Sequence, residues 1–594
     1  MADSDSGQVG QASDGLQVEL FHPDSDRAPG DTNIQGFGFD IHPIVFPLAV
    51  VIIALFIAAT IILGDAAAGA YQGIFDAINV NFGWFYILAV NIFILALVYF
   101  ALSKYGKIRL GGVYAEEEFS TFSWMAMLFS AGMGIGLMFW SVAEPMWHMN
   151  TGGGNLFPYA GGIGAEATGA SAQAALATTI FHWGFHPWAI YGLVALGLGF
   201  FSFNRGLPLT FRSVFYPLLG DRIYGWPGHV IDLITVFATL FGLGTSLGLG
   251  AQQIAAGLNI VGGLPSGTTT QVGVIAVVTG IATLSVAAGL NKGVKRLSQL
   301  NVYIMLAFLA FILAVGPTLF LLDGIVQSVG FYLQNFFEMS WWTDSFFAAG
   351  AAGALGGGAR GSGYADWGHF WTVFYWGWWL AWSPFVGLFI ARISRGKTIR
   401  QMVIGVLLIP TTFSAVWLGA FGGAAIFADV TLGAGIASTV FDQGNAFAMF
   451  AMLDSYPLSS ITSVVAILLV TTFFVTSSDS GSLVVDHLTS GGKHDVPRGQ
   501  RIFWAVTEGA VAAVLLIGGG LSALQTASIT TGLPFAAILL VMVYSTYVGL
   551  NSEYAILMSE EFRERVKEIA QSGEEVDIPG QVFPGDVRDA ETDD

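Results

Sequence analysis

Long apolar stretches recur along this chain and restrict what it can fold into more than any other feature. A helix needs about 20 apolar residues to cross the hydrocarbon core of a bilayer, and it satisfies its own backbone hydrogen bonds there. The pattern therefore predicts an α-helical protein that crosses the membrane many times. Twelve stretches qualify, at residues 43–63, 83–103, 122–143, 175–201, 229–257, 272–290, 299–322, 367–391, 401–427, 460–487, 502–518 and 527–549.

Composition supports the same interpretation. Only 11% of the 594 residues are charged, whereas soluble proteins carry about a quarter. Because so few charged side chains cannot cover a water-exposed surface, we expect most of the chain to face lipid or other helices. The 77 glycines favour close helix packing and interrupted helices. We expect no nucleic-acid partner.

Lysine and arginine are distributed unevenly between successive loops. If the N-terminus is cytoplasmic, the five inner loops contain 16 of these bases and the outer loops contain one, Arg360. Basic residues accumulate in cytoplasmic loops. A missed or additional helix before the last would reverse this bias in every later loop. The distribution therefore predicts twelve spans in the plasma membrane, with both termini in the cytoplasm.

The two ends of the chain are acidic. We divide the chain into an N-terminal tail at 1–42, a membrane domain at 43–550 and a C-terminal tail at 551–594. Acid-rich, lysine-poor tails are typical of a halophilic prokaryote, although ordinary disordered acidic tails are the alternative. The chain has no cysteine, which excludes disulfides and cysteine-bound metals. No basic region precedes an apolar stretch at the N-terminus, so we expect no cleaved signal peptide.

Spans 3 and 8 each contain an element expected to interrupt a helix. Span 3 contains GMGIG at 132–136, and span 8 contains SPF at 383–385. Interrupted helices at matching positions indicate an inverted-repeat transporter with its site at the membrane midplane. We therefore predict an all-α membrane protein with two inverted five-helix repeats, spans 3–7 and 8–12, preceded by two extra helices. Between the repeats we predict an amphipathic interfacial helix at 323–345 and a flexible outer loop at 348–363.

Aromatic residues concentrate in the middle of spans 4 and 8, although tryptophan usually prefers the membrane interface. A methylated ammonium group can neither donate nor accept hydrogen bonds, and aromatic faces attract it by roughly 0.5–2 kcal/mol per ring. The segments therefore predict a site for a quaternary ammonium, with simple helix packing as the alternative. The residues are Trp183, Trp188, Tyr191, Trp376, Trp378, Trp379 and Trp382.

Four motifs resemble the betaine/choline/carnitine transporter family: GMGIGLMFWSVAEP, HWGFHPWAIY, WWLAWSPFVGLFIARISRGKTIR and FFVTSSDSGS. The resemblance extends over nearly the whole membrane domain. It implies a secondary active transporter, not an enzyme, that imports glycine betaine by sodium symport for osmoprotection and assembles as a homotrimer. The alternatives within the family are a sodium-independent exchanger and a choline or carnitine transporter.

The same resemblance implies where the substrate binds. By motif position, the trimethylammonium box maps to Trp183, Trp188, Tyr191 and Trp379, with Trp378 and Trp382 along the pathway. The broken span 3 supplies backbone groups near the substrate carboxylate through Gly132, Met133, Gly134, Ile135 and Gly136. Choline-type members tend to carry aspartate at the last of these positions. Gly136 therefore favours a zwitterion over a bare cation.

Sodium is the implied coupling ion, and no other cofactor is expected. The family's sodium site maps to Ser130, Met133, Phe473, Thr476 and Ser477, although these hydroxyls could simply bond their own helix. A second sodium site maps to Thr239 and Phe385. Leu243 stands where that site has another threonine, which leaves the sodium stoichiometry open.

Two further features admit other chemistry. The segment GTSLG matches the nucleophile motif G-x-S-x-G, with Ser246 as nucleophile and His182 or His186 as base, which would make the chain an intramembrane serine hydrolase. The two histidines also lie at i and i+4 on one predicted helix face, a spacing that can bind metal. Without a carboxylate or third ligand nearby, we expect packing or backbone bonding for them. Among the acids within the membrane, we take Glu144 to be ordinary, at a span end, and keep proton coupling through Glu508 as a minor hypothesis.

Overall fold

The computed structural model describes residues 29–113, 115–131, 134–150, 155–157, 163–164, 169–288, 291–343, 367–493, 495–560 and 562. The outer loop predicted at 348–363 lies outside these residues. The described part is almost entirely helical, and its four short strands form two antiparallel hairpins. The strands are β1 (Ile34–Gly36), β2 (Phe39–Ile41), β3 (Asn155–Phe157) and β4 (Ile163–Gly164).

Eighteen α-helices make up the rest of the described architecture. In the first half they are α1 (Val45–Leu63), α2 (Ala66–Leu102), α3 (Thr121–Ala131), α4 (Ile135–Asn150), α5 (Gly169–His182), α6 (Phe185–Gly199), α7 (Tyr216–Leu219), α8 (Trp226–Gly262), α9 (Thr268–Ala288) and α10 (Asn291–Val315). In the second half they are α11 (Thr318–Gln334), α12 (Phe336–Trp341), α13 (Trp367–Ile393), α14 (Ile399–Leu432), α15 (Ile436–Gln443), α16 (Ala448–Asp454), α17 (Ser459–Thr489) and α18 (Arg498–Leu557).

The prediction of an all-α membrane protein is confirmed. Among the described residues, 10 helices are long and apolar enough to cross a membrane, and the bent pair of α3 and α4 makes the number up to 11. The 60-residue helix α18 leaves the helical conformation at Gly519 and Gly520. The helical segments before and after this interruption contain the predicted spans 502–518 and 527–549, respectively. The count of twelve and the inverted repeats stay predictions.

Two predicted boundaries differ from the structure. Helix α2 begins at Ala66 and not at 83, since no proline interrupts the preceding alanine-rich turns. Span 7 ends at Val315, and the next helix begins at Thr318 with Pro317 as its N-cap. Proline fits a helix start because it has no N–H to leave unpaired. The helix predicted at 323–345 therefore begins five residues earlier.

The predicted interruption of span 3 is present, but that of span 8 is wrong. Helices α3 and α4 are bent by 58° at their junction, whereas α13 runs unbroken with Pro384 inside. Proline removes the N–H that would bond the carbonyl of Leu380. The hydroxyl of Ser383 donates to that carbonyl at 2.8 Å. The serine thus satisfies the group that the proline leaves without a partner, and the helix continues.

Span 4 contains an interruption at 183–184 that separates α5 from α6. Gly184 has φ −98° and ψ −133°, which is neither helical nor extended backbone. A Cβ on this residue would lie 2.7 Å from the carbonyl oxygen of Ile180 and 2.9 Å from the hydroxyl of Tyr332. Only glycine fits there. Trp183 consequently lies outside regular helix, and the expected distortion precedes Pro187, which sits in the first turn of α6.

The hairpin of β1 and β2 packs against the loop that follows α17. Asp40 accepts hydrogen bonds from Lys493 at 2.5 Å and from Asn33 at 2.8 Å, and its own N–H donates to Gln500 at 2.9 Å. Partial burial acts to raise the pKa of Asp40, but these hydrogen bonds and the charge of Lys493 outweigh it, so the pKa is lowered. The hairpin is therefore part of the folded domain.

Candidate functional site

A cavity lies within the helix bundle, where α13 packs against α6 and α8. Residues of α4, α6, α8, α13 and α14 line it. The structure thus places in one cavity every described residue of the predicted substrate set. These are Trp183, Trp188, Tyr191, Trp378, Trp379, Trp382, Gly134, Ile135 and Gly136. Gly132 and Met133 lie outside the described residues.

Four aromatic rings form the wall that we call the aromatic box: Trp183, Trp188, Tyr191 and Trp379. The rings of Trp183 and Trp379 meet edge to face with centroids 4.7 Å apart. Those of Trp188 and Tyr191 do the same at 5.3 Å, and Tyr191 lies 6.4 Å from Trp379. A cation is attracted when it lies within about 6 Å of a ring face. One quaternary ammonium can therefore contact several of these faces together.

Hydrogen bonds fix several of the indole rings, whereas the indole N–H of Trp378 has no partner among the described residues. Trp379 donates its Nε1–H to the carbonyl oxygen of His182 at 2.9 Å, and this carbonyl is available because α5 ends at that residue. Trp382 donates to the carbonyl oxygen of Gly242 at 3.0 Å. Because the rings are held before any ligand arrives, little side-chain entropy remains to be lost on binding.

Gly136 has a packing role beside the aromatic box. A Cβ at this position would lie 2.5 Å from Cη2 of Trp378 and 2.9 Å from Cη2 of Trp183. Real Cβ contacts are never that short, so any side chain would displace one of the two rings. The glycine is required by this packing whatever the charge of the substrate. Its presence alone therefore does not distinguish a zwitterion from a cation.

Glu144 is a site residue that the sequence analysis missed. Its carboxylate is fully buried and accepts from His182 at 2.6 Å and His148 at 3.2 Å on one oxygen. The other oxygen accepts from Trp183 at 3.0 Å and from Tyr375 at 2.5 Å. The available signal was its position in the motif GMGIGLMFWSVAEP of span 3, eight residues after Gly136. The carboxylate lies behind the aromatic box and holds one of its rings.

The two histidines predicted to share a helix face have separate environments. His182 bonds Glu144, while His186 stacks on Trp376 with centroids 5.1 Å apart. His186 thus packs as expected, but His182 belongs to a polar network. Its ligand atoms and those of Glu144 and His148 all lie within 4.8 Å of one another. These atoms are already joined by the hydrogen bonds described above.

A second cavity adjoins the first and shares Ala131, Trp382 and Val386 with it. We call it the hydroxyl cavity. It brings together the described members of the predicted sodium set, Ser130, Phe473, Thr476 and Ser477, while Met133 lies outside the described residues. The hydroxyl of Thr476 donates to carbonyl oxygens of its own helix at 3.0 and 3.2 Å. A hydroxyl that donates in this way still has lone pairs for a cation.

Asn301, on α10, also lines the hydroxyl cavity and was not predicted. Its side chain is 2% exposed, and neither its amide nitrogen nor its oxygen has a hydrogen-bond partner among the described residues. Ser298, one turn earlier, lines the same cavity. A buried polar group without a partner costs about 1–3 kcal/mol. The signal in the sequence was an amide near the start of an apolar run, outside the motifs that carried the resemblance.

The structure does not assemble the second predicted sodium site. Phe385 lines the hydroxyl cavity, but Thr239 lines neither cavity and donates to the carbonyl oxygen of Thr235 at 2.8 Å. Leu243 packs closely on Gly481, where a Cβ would lie 2.3 Å from its Cδ1. The leucine therefore fills the space between α8 and α17 with apolar atoms.

Ser246 lies in the middle of α8 and lines the cavity that contains the aromatic box. The nucleophile motif requires a sharp turn between a strand and a helix, which this continuous helix does not provide. The serine hydroxyl contacts the carbonyl oxygen of Gly242 at 3.4 Å, and His182 bonds Glu144 instead. The geometry of a nucleophile and its base is therefore not formed by these residues.

Comparisons with known proteins agree with the motifs. The model of the betaine/carnitine/choline family transporters matches residues 44–555. The chain is 44% identical over 544 residues to a glycine betaine/proline/choline transporter of Vibrio parahaemolyticus, covering 89% of this chain and 94% of that protein. It is 46% identical over 546 residues to glycine betaine transporter 1 of the same organism, covering 90% and 99%. A probable glycine betaine transporter of Desulfitobacterium hafniense is 43% identical over 503 residues, covering 84% and 96%.

Proposed function

Because the chain belongs to the betaine/carnitine/choline family of transporters, we propose that it imports glycine betaine by sodium symport across the plasma membrane. The observation that carries the proposal is the aromatic box inside a buried cavity. Three or four ring faces contribute roughly 2–8 kcal/mol to holding a quaternary ammonium. That range covers millimolar to micromolar dissociation constants.

The first turn of α4 supplies the complementary site for the substrate carboxylate. Gly134, Ile135 and Gly136 line the same cavity as the box, and the first N–H groups of a helix have no partner within it. These groups and the positive end of the helix dipole favour an anion. A zwitterion can therefore place its ammonium against the rings and its carboxylate against this helix start.

The hydroxyl cavity supports sodium as the coupling ion. Sodium prefers hard oxygen ligands, and the hydroxyls of Ser130, Thr476 and Ser477 line a cavity that adjoins the substrate cavity. A tenfold sodium gradient supplies about 1.4 kcal/mol and 100 mV about 2.3 kcal/mol per charge. One ion thus sustains an accumulation of several hundredfold. We propose a stoichiometry of one sodium, since Leu243 occupies the region of the second site.

Choline is the second candidate substrate. Because packing alone requires glycine at position 136, Gly136 is not evidence that the site selects a zwitterion. The names of two relatives also include choline. Choline has the same trimethylammonium group but no carboxylate. Competition between the two substrates therefore separates the contribution of the box from that of the start of α4.

The test is uptake of labelled glycine betaine into proteoliposomes at high salt, with an inward sodium gradient or a matched potassium gradient. We expect accumulation only with sodium. Uptake that requires preloaded substrate and no sodium would show an exchanger. The absence of betaine uptake together with uptake of labelled choline would establish the second candidate.

The orientation and assembly are parts of the same proposal, with both termini cytoplasmic and the protein a homotrimer. The natural chain has no cysteine, so it is already a background for accessibility labelling. A single cysteine introduced at Asp31 should react with a membrane-impermeant maleimide only after the cells are opened. Labelling of intact cells would reverse the orientation.

A further inference from the structure

Glu144 combines complete burial with four hydrogen-bond contacts, two from neutral indole and phenol donors and two from histidine rings. Trp183 donates an indole N–H, and Tyr375 donates a phenolic O–H. His182 and His148 contribute ring nitrogens to the other oxygen. Convergence of several donors on both oxygens is the arrangement that stabilises an ionised carboxylate away from water. In the described part of the chain, its ion-pair partners are these two histidines alone.

The second bond of His182 fits a neutral imidazole. Its Nδ1 faces Glu144 at 2.6 Å, and its Nε2 faces the hydroxyl of Thr372 at 3.0 Å. A neutral ring donates from one nitrogen and accepts at the other. With Nδ1–H donating to Glu144, Nε2 accepts from the Thr372 hydroxyl. The carboxylate is then satisfied by hydrogen bonds while its negative charge is not cancelled.

The charge lies directly behind a ring of the aromatic box. Trp183 sits at the interruption between α5 and α6, so no regular helix fixes its side chain, and its Nε1–H points to Glu144. An anion that accepts a hydrogen bond from the indole N–H increases the electron density of the ring. The attraction of a cation to a ring face depends on that density. The second partner, Tyr375, stacks on Trp379 with centroids 5.7 Å apart.

We propose that Glu144 is a positioning and specificity-determining residue of the aromatic box. It fixes Trp183 at the helix interruption and places a buried negative charge behind the ring. The cavity thereby selects a cationic head group over a neutral group of the same shape. This inference rests on the proposed function, because it assumes that the box holds a quaternary ammonium.

Two ligands of nearly equal shape separate charge selection from a structural role. Glycine betaine carries a trimethylammonium group, and 3,3-dimethylbutanoate carries a tert-butyl group in its place with the same carboxylate. Burial of the three methyl groups contributes a similar free energy of binding to both ligands. A negative charge behind the box acts on the carboxylates of both ligands alike, but it attracts only the ammonium of the betaine. The ratio of their affinities therefore reports the charge, while the absolute affinities report the shape of the cavity.

The experiment measures both affinities on purified wild-type protein and on Glu144→Gln, at fixed saturating sodium. We expect the betaine affinity to fall about tenfold and the affinity for 3,3-dimethylbutanoate to change less than about threefold. An equal loss for both ligands would reduce Glu144 to a structural role and overturn the proposal, as would no change for either. Wild-type protein that binds no betaine would instead contradict the proposed function.

Three further variants control this measurement. Glu338→Gln makes the same substitution at an exposed acid of α12 and should change neither affinity. Glu144→Asp keeps the charge, so the affinity ratio should stay within about threefold of wild type even if both affinities fall. If Glu144→Gln is not recovered folded, Tyr375→Phe supplies the test. It removes one donor and keeps the charge, and a tenfold loss in the ratio would contradict the proposal.

Discussion

The aromatic box and the hydroxyl cavity are neighbours built in opposite ways. In the box, the indoles of Trp183 and Trp379 donate to fixed acceptors, and the rings pack edge to face. In the hydroxyl cavity, the Thr476 hydroxyl bonds carbonyl groups of its own helix, and the Asn301 amide has no partner among the described residues. These two indoles of the box thus have their hydrogen bonds within the protein, whereas the hydroxyl cavity has a buried amide left to satisfy.

This difference predicts how substitutions in each of the two sites should affect binding. A preformed site has already lost the entropy of its side chains, so removing any part of it should weaken binding under all conditions. A site with unsatisfied oxygens gains from a bound cation, so damage there should be overcome by raising the ion concentration. Each prediction below tests this contrast, and the largest expected effect comes first.

Trp379→Ala should cause the largest loss of betaine uptake. The variant removes a ring that contacts two others in the box and leaves the His182 carbonyl without its donor. About 2 kcal/mol for the ring and a further 1 kcal/mol or so for the hydrogen bond correspond to roughly a 100-fold lower kcat/KM for betaine uptake. Trp379→Phe, which keeps a ring, should lose about tenfold. Recovery of Trp379→Ala at high sodium would contradict a preformed box.

Gly136→Ala should reduce uptake of betaine and choline by similar factors. The added methyl group displaces Trp378 or Trp183, and overpacking of this kind costs roughly 1–3 kcal/mol, or about 5- to 150-fold. Gly134→Ala is the matched control, because a Cβ there meets no atom within 4 Å. A switch of preference toward choline without a general loss would show that this position reads charge and not shape.

Ser477→Ala should raise the sodium concentration needed for half-maximal uptake about tenfold, because one oxygen ligand is lost. At saturating sodium, the KM for betaine should remain near the wild-type value. Thr472→Ala is the control, since this threonine bonds its own helix in the same way but does not line the cavity. A lower betaine affinity that sodium cannot restore would place Ser477 in the substrate site.

Much of this contrast was predictable from sequence, because it depends on residue types with few uses inside a membrane. Apolar length indicated the spans, and aromatic residues at mid-span indicated the box. The broken span 3 followed from its glycines. The unbroken span 8 could not be foreseen from Pro384 alone, because whether a proline breaks a helix depends on a neighbour that can bond the freed carbonyl. Ser383 provides that bond.

The polar residues that complete the two sites were harder to predict. Glu144 stands near a span end, where an acid usually reaches water, and its role depends on donors from two other spans, 4 and 8, that only the fold brings together. Asn301 lies in an apolar run with no motif around it. For both residues, the informative property is what faces them across helices. Periodicity and spacing along one helix do not contain that information.

Leu243→Thr should produce the smallest effect and tests whether the second sodium site lacks only one hydroxyl. The substitution removes packing against Gly481, so the thermal unfolding midpoint should fall. Leu243→Val has nearly the same shape without the hydroxyl and isolates its contribution. Thr239 bonds its own helix and Phe385 lines the hydroxyl cavity, so one added hydroxyl does not bring the set together. Sodium activation should therefore stay uncooperative in both variants, with uptake within about threefold of wild type. A Hill coefficient that rises only in Leu243→Thr would show that the site needed nothing else.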